Sequence, residues 1–325
     1  MERILLTLEP VTAAFVHVEP EGDARWRAAP FRGLARWWFR AMVAAAVGPD
    51  EVRTREERLF GSAATPSAVI VRVRDCVNTT RQFRINPTRR SNDADRTKRY
   101  TATRSALVPV GARVEGARVE IELCPPNAGA PSEPVRQAYA ALWVALHFGG
   151  VGQRARRGAG SLRMRAVRGV DELLPIEVAD AGSYAAALSN GLREARRMLG
   201  VPQLRSLGRE TEFPVFHPEC ASVWVVSGRG LTDETEVRAY LMDVRRELPS
   251  HAQSGHQEPE FGFAGRTRLA SPVWIRVADF NRERTLFVVT LFRHRRRGVS
   301  IRPRWSNVEE EFVSRLGTES VQVRL

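Results

Sequence analysis

This 325-residue chain has almost no lysine: among its 50 basic side chains Lys98 alone is one, and the rest are arginine. Lys98 sits in RTKRY, away from any glycine run, so the Gly-Lys-Ser/Thr of a phosphate-cradling P-loop is missing and ATP or GTP binding in that mode is excluded. Cysteine is nearly as scarce. Cys76, Cys124 and Cys220 form no CxxC pair and no even-numbered set, which leaves no signal for a disulfide framework or a zinc site. The six histidines, His17, His147, His217, His251, His256 and His294, show no metal-ligand spacing such as HExxH, so neither metal nor cofactor is expected. No apolar run approaches the ~20 residues of a bilayer-spanning helix. MERILLTLEP has an acidic residue and alternation where a signal peptide has a long apolar core, so a cytoplasmic setting without membrane contact is expected.

What the chain does have is arginine. Fifty basic against 37 acidic residues leave a net charge of +13 and a sequence pI near 11.0. A GC-rich genome would favour arginine codons, but codon usage does not account for the imbalance of sign. Excess positive charge is the electrostatic footprint of a phosphate polymer, which points to nucleic acid as partner. Hydrophobic residues make up 43%, so the chain is globular, and its length is enough for two domains of ordinary size with a core each.

The order of elements carries more information than any boundary. Residues 3–8 alternate as a strand, and 30–47 give a helix opening at Pro30, with Leu34, Trp38, Ala41 and Ala45 on one face. Strands follow at 68–74 and 117–123, then a helix at 133–147 with Ser132 placed to cap it, then a strand at 162–168. The second half repeats the order: strand 221–227, helix 233–248 with Asp233 and Glu236 in capping-box positions, strands 272–278 and 285–292, helix 307–316, strand 320–325. A βαββαβ pattern occurring twice predicts an α+β protein of two tandem ferredoxin-like domains, the scaffold also used by the RNA recognition motif. The expected division is 1–169, a helical connector over 170–215, and 216–325.

Three stretches carry the chemistry. GGVGQRARRGAGS, residues 149–161, follows a helix and leads into a strand, the reverse of the strand-to-helix placement that a dinucleotide fingerprint requires. What remains is a loop whose amides at Gly150, Gly152, Gln153, Gly158, Gly160 and Ser161, and whose Arg154, Arg156 and Arg157, could wrap a polynucleotide backbone. A solvated loop with incidental arginines is the plainer alternative. In APFRGLARWWFRAM, Arg32, Arg36 and Arg40 recur every four residues and form one stripe, with Leu34, Trp38 and Ala41 on another. Trp37 lies between the stripes and is a candidate to stack on a base or, equally, to pack in the core. The insertion 75–116 is basic, with Arg89, Arg90 and Arg99 among its arginines, and reads as a projection onto nucleic acid. A lone His17 is a candidate general base on a ribose 2′-OH, with Asp23 weaker.

FRGLARWWFRAM followed by LFGS at 59–62, then GGVGQRARRGAGSL at 149–162, resembles the RAMP superfamily of CRISPR proteins, and GRTRLASPVWIRV at 265–277 resembles that family's second-domain motif. The resemblance implies a non-catalytic, RNA-binding subunit of a type III-B (Cmr) ribonucleoprotein. Its partners would be guide (CRISPR) RNA, target RNA and the other RAMP subunits of the Cmr complex, and it would not be a stand-alone homo-oligomer. It also places the family's RNA-backbone element on Gly149–Ser161 and the arginine and tryptophan helix on Arg32–Arg40. The alternative within the same superfamily is a metal-independent endoribonuclease that processes guide RNA, using His17. The second half has only RLGTES, 315–320, where the first has its long glycine-rich loop, so RNA contact is expected on the N-terminal half.

Overall fold

The structure, a computed structural model, describes residues 3–16, 26–77, 80–85, 102–107, 118–207, 211, 213–233, 236–237, 239–241, 244, 263–264, 268–269, 271–293 and 305–325. In chain order the first half holds β1 (Ile4–Pro10), α1 (Ala28–Val43), α2 (Pro49–Phe60), β2 (Ile70–Val77), the hairpin β3 (Thr80–Ile85) and β4 (Ala102–Leu107), β5 (Arg118–Cys124), α3 (Glu133–Phe148), a 3-10 turn at Ala155–Arg157 and β6 (Leu162–Arg168). Next comes α4 (Ala181–Met198). The second half holds β7 (Ala221–Arg229), a short pair β8 (Phe263–Ala264) and β9 (Arg268–Leu269), β10 (Val273–Phe280), β11 (Arg284–Phe292), α5 (Trp305–Leu316) and β12 (Glu319–Gln322). Glu236, Val237, Ala239, Tyr240, Leu241 and Val244 are also helical.

Two four-stranded antiparallel sheets result, in the orders β2-β5-β1-β6 and β10-β11-β7-β12. Counted within each copy, both read second-third-first-fourth, which is the ferredoxin-like order, and the tandem ferredoxin-like expectation holds. Local signals decide the ends. α1 opens at Ala28 with Pro30 inside its first turn, where the missing N–H would have had no helical partner. Ser132 stands at the N-cap of α3 but makes no side-chain capping bond: its φ −81° and ψ −23° are already helical, and Pro134 occupies the first turn. Asp233 does cap, accepting from the Glu236 N–H at 2.9 Å, while the Glu236 carboxylate reaches back to the Thr232 N–H at 2.7 Å.

The two copies do not fill separate cores. Alternate residues of the second sheet, Trp274 and Ala278 on β10, Leu286 and Val288 on β11, and Val223 and Val225 on β7, join one continuous cluster with Ile4, Leu6 and Leu8 of β1, α1, α3 and α4. The opposite face, with Val273, Ile275, Val277, Phe287 and Val289, packs on Val237, Leu241, Phe312 and Leu316. The layers therefore run first sheet, shared helices, second sheet, second pair of helices. This stacking explains α3. Twelve of its sixteen residues are buried, because it is covered by a sheet on each side.

Candidate nucleic-acid interface

On α1 the arginine stripe forms as its spacing requires, and α2 receives it. Arg36 bonds Glu56 at 2.8 Å, Arg40 approaches the same carboxylate at 3.4 Å, and Arg32 donates to the Phe60 carbonyl at the C-terminal end of α2. Glu56 is only 6% exposed. One carboxylate thus anchors two guanidiniums, and of the stripe Arg40 is the exposed member. The helix α2 is an addition to the repeated βαββαβ order. Its signal was present: Pro49 at its start, Asp50 and Glu51 in its first turn, and Val52, Leu59 and Phe60 buried on one side.

Trp37 is half-buried, and its ring has protein partners. It stands 4.9 Å from Trp274 and 5.5 Å edge-on from Phe292, so α1 meets the second sheet through it. Of the two roles the sequence leaves open for Trp37, these contacts are those of packing, with the ring leaning toward β10 and β11. Trp38 is fully buried, as its position on the apolar stripe predicts.

The glycine-rich loop divides into two parts. Its root lies in the seam between the halves: Gly150, Gly158, Gly160 and Ser161 are buried. The Gly158 N–H donates to the Ile275 carbonyl at 3.0 Å, and the Gly158 carbonyl accepts from Thr12 Oγ1 at 2.6 Å. Ser161 Oγ accepts from the Val277 N–H at 3.0 Å. Gly160 has φ +63°, and a Cβ there would stand 1.9 Å from the Val151 carbonyl oxygen, so glycine is needed for the loop's own chain to close on itself. Arg156 also belongs to the root. Its guanidinium lies 4.7 Å from the Trp274 ring centroid and 5.6 Å from that of Trp37, it donates to the Ser271 carbonyl, and burial lowers its pKa to about 10. These side chains face protein, so the exposed part of the loop is narrower than the whole stretch that the sequence singles out.

The rim is different. Gly152, Gln153, Arg154 and Arg157 are exposed, with Arg154 in the left-handed region at φ +62° and Gln153 bridged to Phe15. The structure thus brings Trp37 and Arg156 together through Trp274, while Arg32, Arg36 and Arg40 point to α2. His17, Asp23, Arg89, Arg90 and Arg99 lie outside the described residues. Among the described residues, no group of three or more His, Cys, Asp or Glu could hold a metal ion, and no helix is long and apolar enough to cross a membrane.

Other charged groups, outside the three stretches singled out in the sequence, gather on the first sheet. On the outer face of the first sheet, Arg74 grips Glu122 with two bonds of 2.7 Å, Arg3 reaches it at 3.4 Å and Arg72 at 3.7 Å. Arg74 above all holds the Glu122 carboxyl below the ordinary carboxylate range. Arg165 pairs with Glu9 at 2.6 Å, and Arg168, opposite Leu5 on β1, is exposed. The sequence signal was the alternation in IVRVR and LRMRAVR, in which arginine takes the outward positions.

Residues 7–163 match the family described as the RAMP superfamily. A Cmr1-2 subunit of the CRISPR system Cmr from Pyrococcus furiosus is 28% identical over 190 residues, covering 52% of this chain and 98% of that protein. Cmr1-1 from the same organism is 27% identical over 280 residues, 78% of this chain and 76% of that protein. Among solved structures, apo Cmr1 from Pyrococcus furiosus superposes with a TM-score of 0.64 at 20% identity, covering 99% of both chains. A chain of the type III-B Cmr-beta complex bound to cognate target RNA and AMPPnP gives 0.56 at 10% identity, covering 97% of this chain and 98% of that one. Residues 7–163 are thus similar to the RAMP superfamily, 78% of the chain is similar in sequence to a Cmr1 subunit, and the chain as a whole shares the fold of Cmr1.

Proposed function

We propose that this chain is a non-catalytic RNA-binding subunit of a type III-B CRISPR ribonucleoprotein. It caps a backbone of RAMP subunits and helps capture target RNA paired with the guide. The observation that carries this reading is the two-part loop: an exposed rim of Gly152, Gln153, Arg154 and Arg157 stands on a root fixed by Gly158, Ser161 and Arg156. A guanidinium held on a rigid base loses less freedom on binding than one on a mobile loop, and phosphate contacts of this type position a strand without reading its sequence. The exposed Arg40 on α1 extends the same chemistry. The net charge of +13 favours a polyanionic partner.

Guide RNA, target RNA and neighbouring RAMP subunits are the partners in this reading. The test is to incubate the purified chain with single-stranded and repeat-derived RNA in the absence of metal. Binding with the RNA left intact is the expected result. Cleavage that disappears in His17→Ala would overturn it in favour of a guide-processing endoribonuclease.

A further inference from the structure

The two sheets differ in what covers them. The second is packed on both faces, on one side by α1, α3 and α4 and on the other by its own helices. Among the described residues, the first carries the shared helices on one face only. The opposite face presents the outward residues of its strands: Leu5, Thr7 and Glu9 of β1 alternate with buried Ile4, Leu6 and Leu8. Pairing aligns Arg72 with Glu122, Glu122 with Leu5, and Leu5 with Arg168, so a row of charge runs from one edge of the sheet to the other.

Among the described side chains, charge on this face is unbalanced. Arg3, Arg72, Arg74, Arg118, Arg165 and Arg168 stand against Glu9, Glu120 and Glu122. Glu122 is 3% exposed beneath its three guanidiniums, so one carboxylate orients several cations and neutralises about one of them. Residues two apart on a strand repeat about every 6.6 Å on one face, which spaces Arg72 and Arg74 as a ladder of planar donor forks. No aromatic ring lies among the outward residues named here. Leu5 is the one large apolar group among them, too little for the buried anchor of a protein interface.

We infer that the outer face of the first sheet is a second contact surface for RNA, one that holds the phosphate backbone of a single strand without stacking its bases. This rests on the RNA-binding reading above and adds a surface on the side of the sheet away from the shared helices. The sheet face of an RNA recognition motif uses aromatic stacking; here guanidiniums take the outward positions.

The test uses the full chain and the triple variant Arg72→Gln, Arg165→Gln, Arg168→Gln. Arg74 and Arg3 stay in place, so Glu122 keeps cationic partners. Affinity for a single-stranded RNA long enough to reach both surfaces is measured across a salt series. The log-log slope should fall by up to ~2, at ~0.7 per lost phosphate contact. An unchanged slope in a folded variant, with the unaltered chain still binding, overturns this surface and leaves the loop reading intact. Absence of RNA binding by the unaltered chain overturns both. A variant that loses polyglutamate binding and keeps RNA binding shows an acidic protein partner and also overturns the inference. If the triple variant fails to fold, Arg168→Glu alone carries the same test, with a slope loss of ~0.7 or more expected and no loss counting against it.

Discussion

Arg276 on β10 donates from Nε to the Leu146 carbonyl at the end of α3, at 2.6 Å, and both residues are buried. The same guanidinium reaches Tyr184 Oη on α4 at 3.0 Å and the Leu162 carbonyl of β6 at 2.9 Å. A single side chain of the second half therefore satisfies one of the otherwise unpaired carbonyls at the α3 C-terminus and ties together three elements. Arg276→Met should cost ~3 kcal/mol or more, since hydrogen bonds to charged groups contribute ~1.5–3 kcal/mol each and the carbonyls are left buried. Urea unfolding of the full chain measures it. A loss well under 1 kcal/mol would show that the seam is held by apolar packing alone.

His147, beside this staple, sets a pH limit. It is 4% exposed, its Nδ1 bonds the Trp143 carbonyl at 2.8 Å, and its ring stacks on Trp143 at 4.1 Å. Burial, helped by the charge of Arg276, lowers its pKa to about 3. The unfolded chain takes up a proton near pH 6.5 that the folded one refuses until about pH 3, so stability should decline as pH falls through this window. The slope from this group is ~1.4 kcal/mol per pH unit. Thermal midpoints from pH 7 to pH 4 should show a steeper decline for the native chain than for His147→Asn; parallel curves would contradict this.

Two glycines should respond in opposite directions to alanine. Gly160→Ala meets a carbonyl oxygen at 1.9 Å in the left-handed region and should cost more than ~2 kcal/mol, since the left-handed backbone alone costs ~1–2. Gly33, in α1, has open space around the added Cβ, and Gly33→Ala should stabilise by ~0.5–1 kcal/mol. Chemical denaturation of both variants is the check; a neutral Gly160→Ala would mean the loop root is not closed as described.

The repeated order of strands and helices was legible because period-2 and period-3.6 patterns are local, and LRMRAVR became β6 at the residues the alternation marks. What was not legible depended on the neighbour. Trp37 sits at the boundary between polar and apolar stripes, and the presence of Trp274 and Phe292 from a distant strand decides its role. Arg156 and Arg157 are adjacent in one loop, yet one is packed into the seam and the other exposed, which spacing cannot separate. The shared core left one trace in sequence. An α3 that is apolar on every side from Ala138 to Leu146 signals a helix covered twice rather than a helix with a solvated face.

The most direct test of the RNA-binding account is the salt dependence of affinity for single-stranded RNA, compared between the unaltered chain and Arg154→Ala/Arg157→Ala. These two side chains form the exposed rim and leave Arg156 of the loop root in place, and a thermal midpoint measured alongside establishes that the variant is folded. The account predicts a steep inverse dependence for the unaltered chain and a log-log slope reduced by up to ~1.4 in the variant, at ~0.7 per contact. Identical slopes, or binding that does not respond to salt, would contradict it.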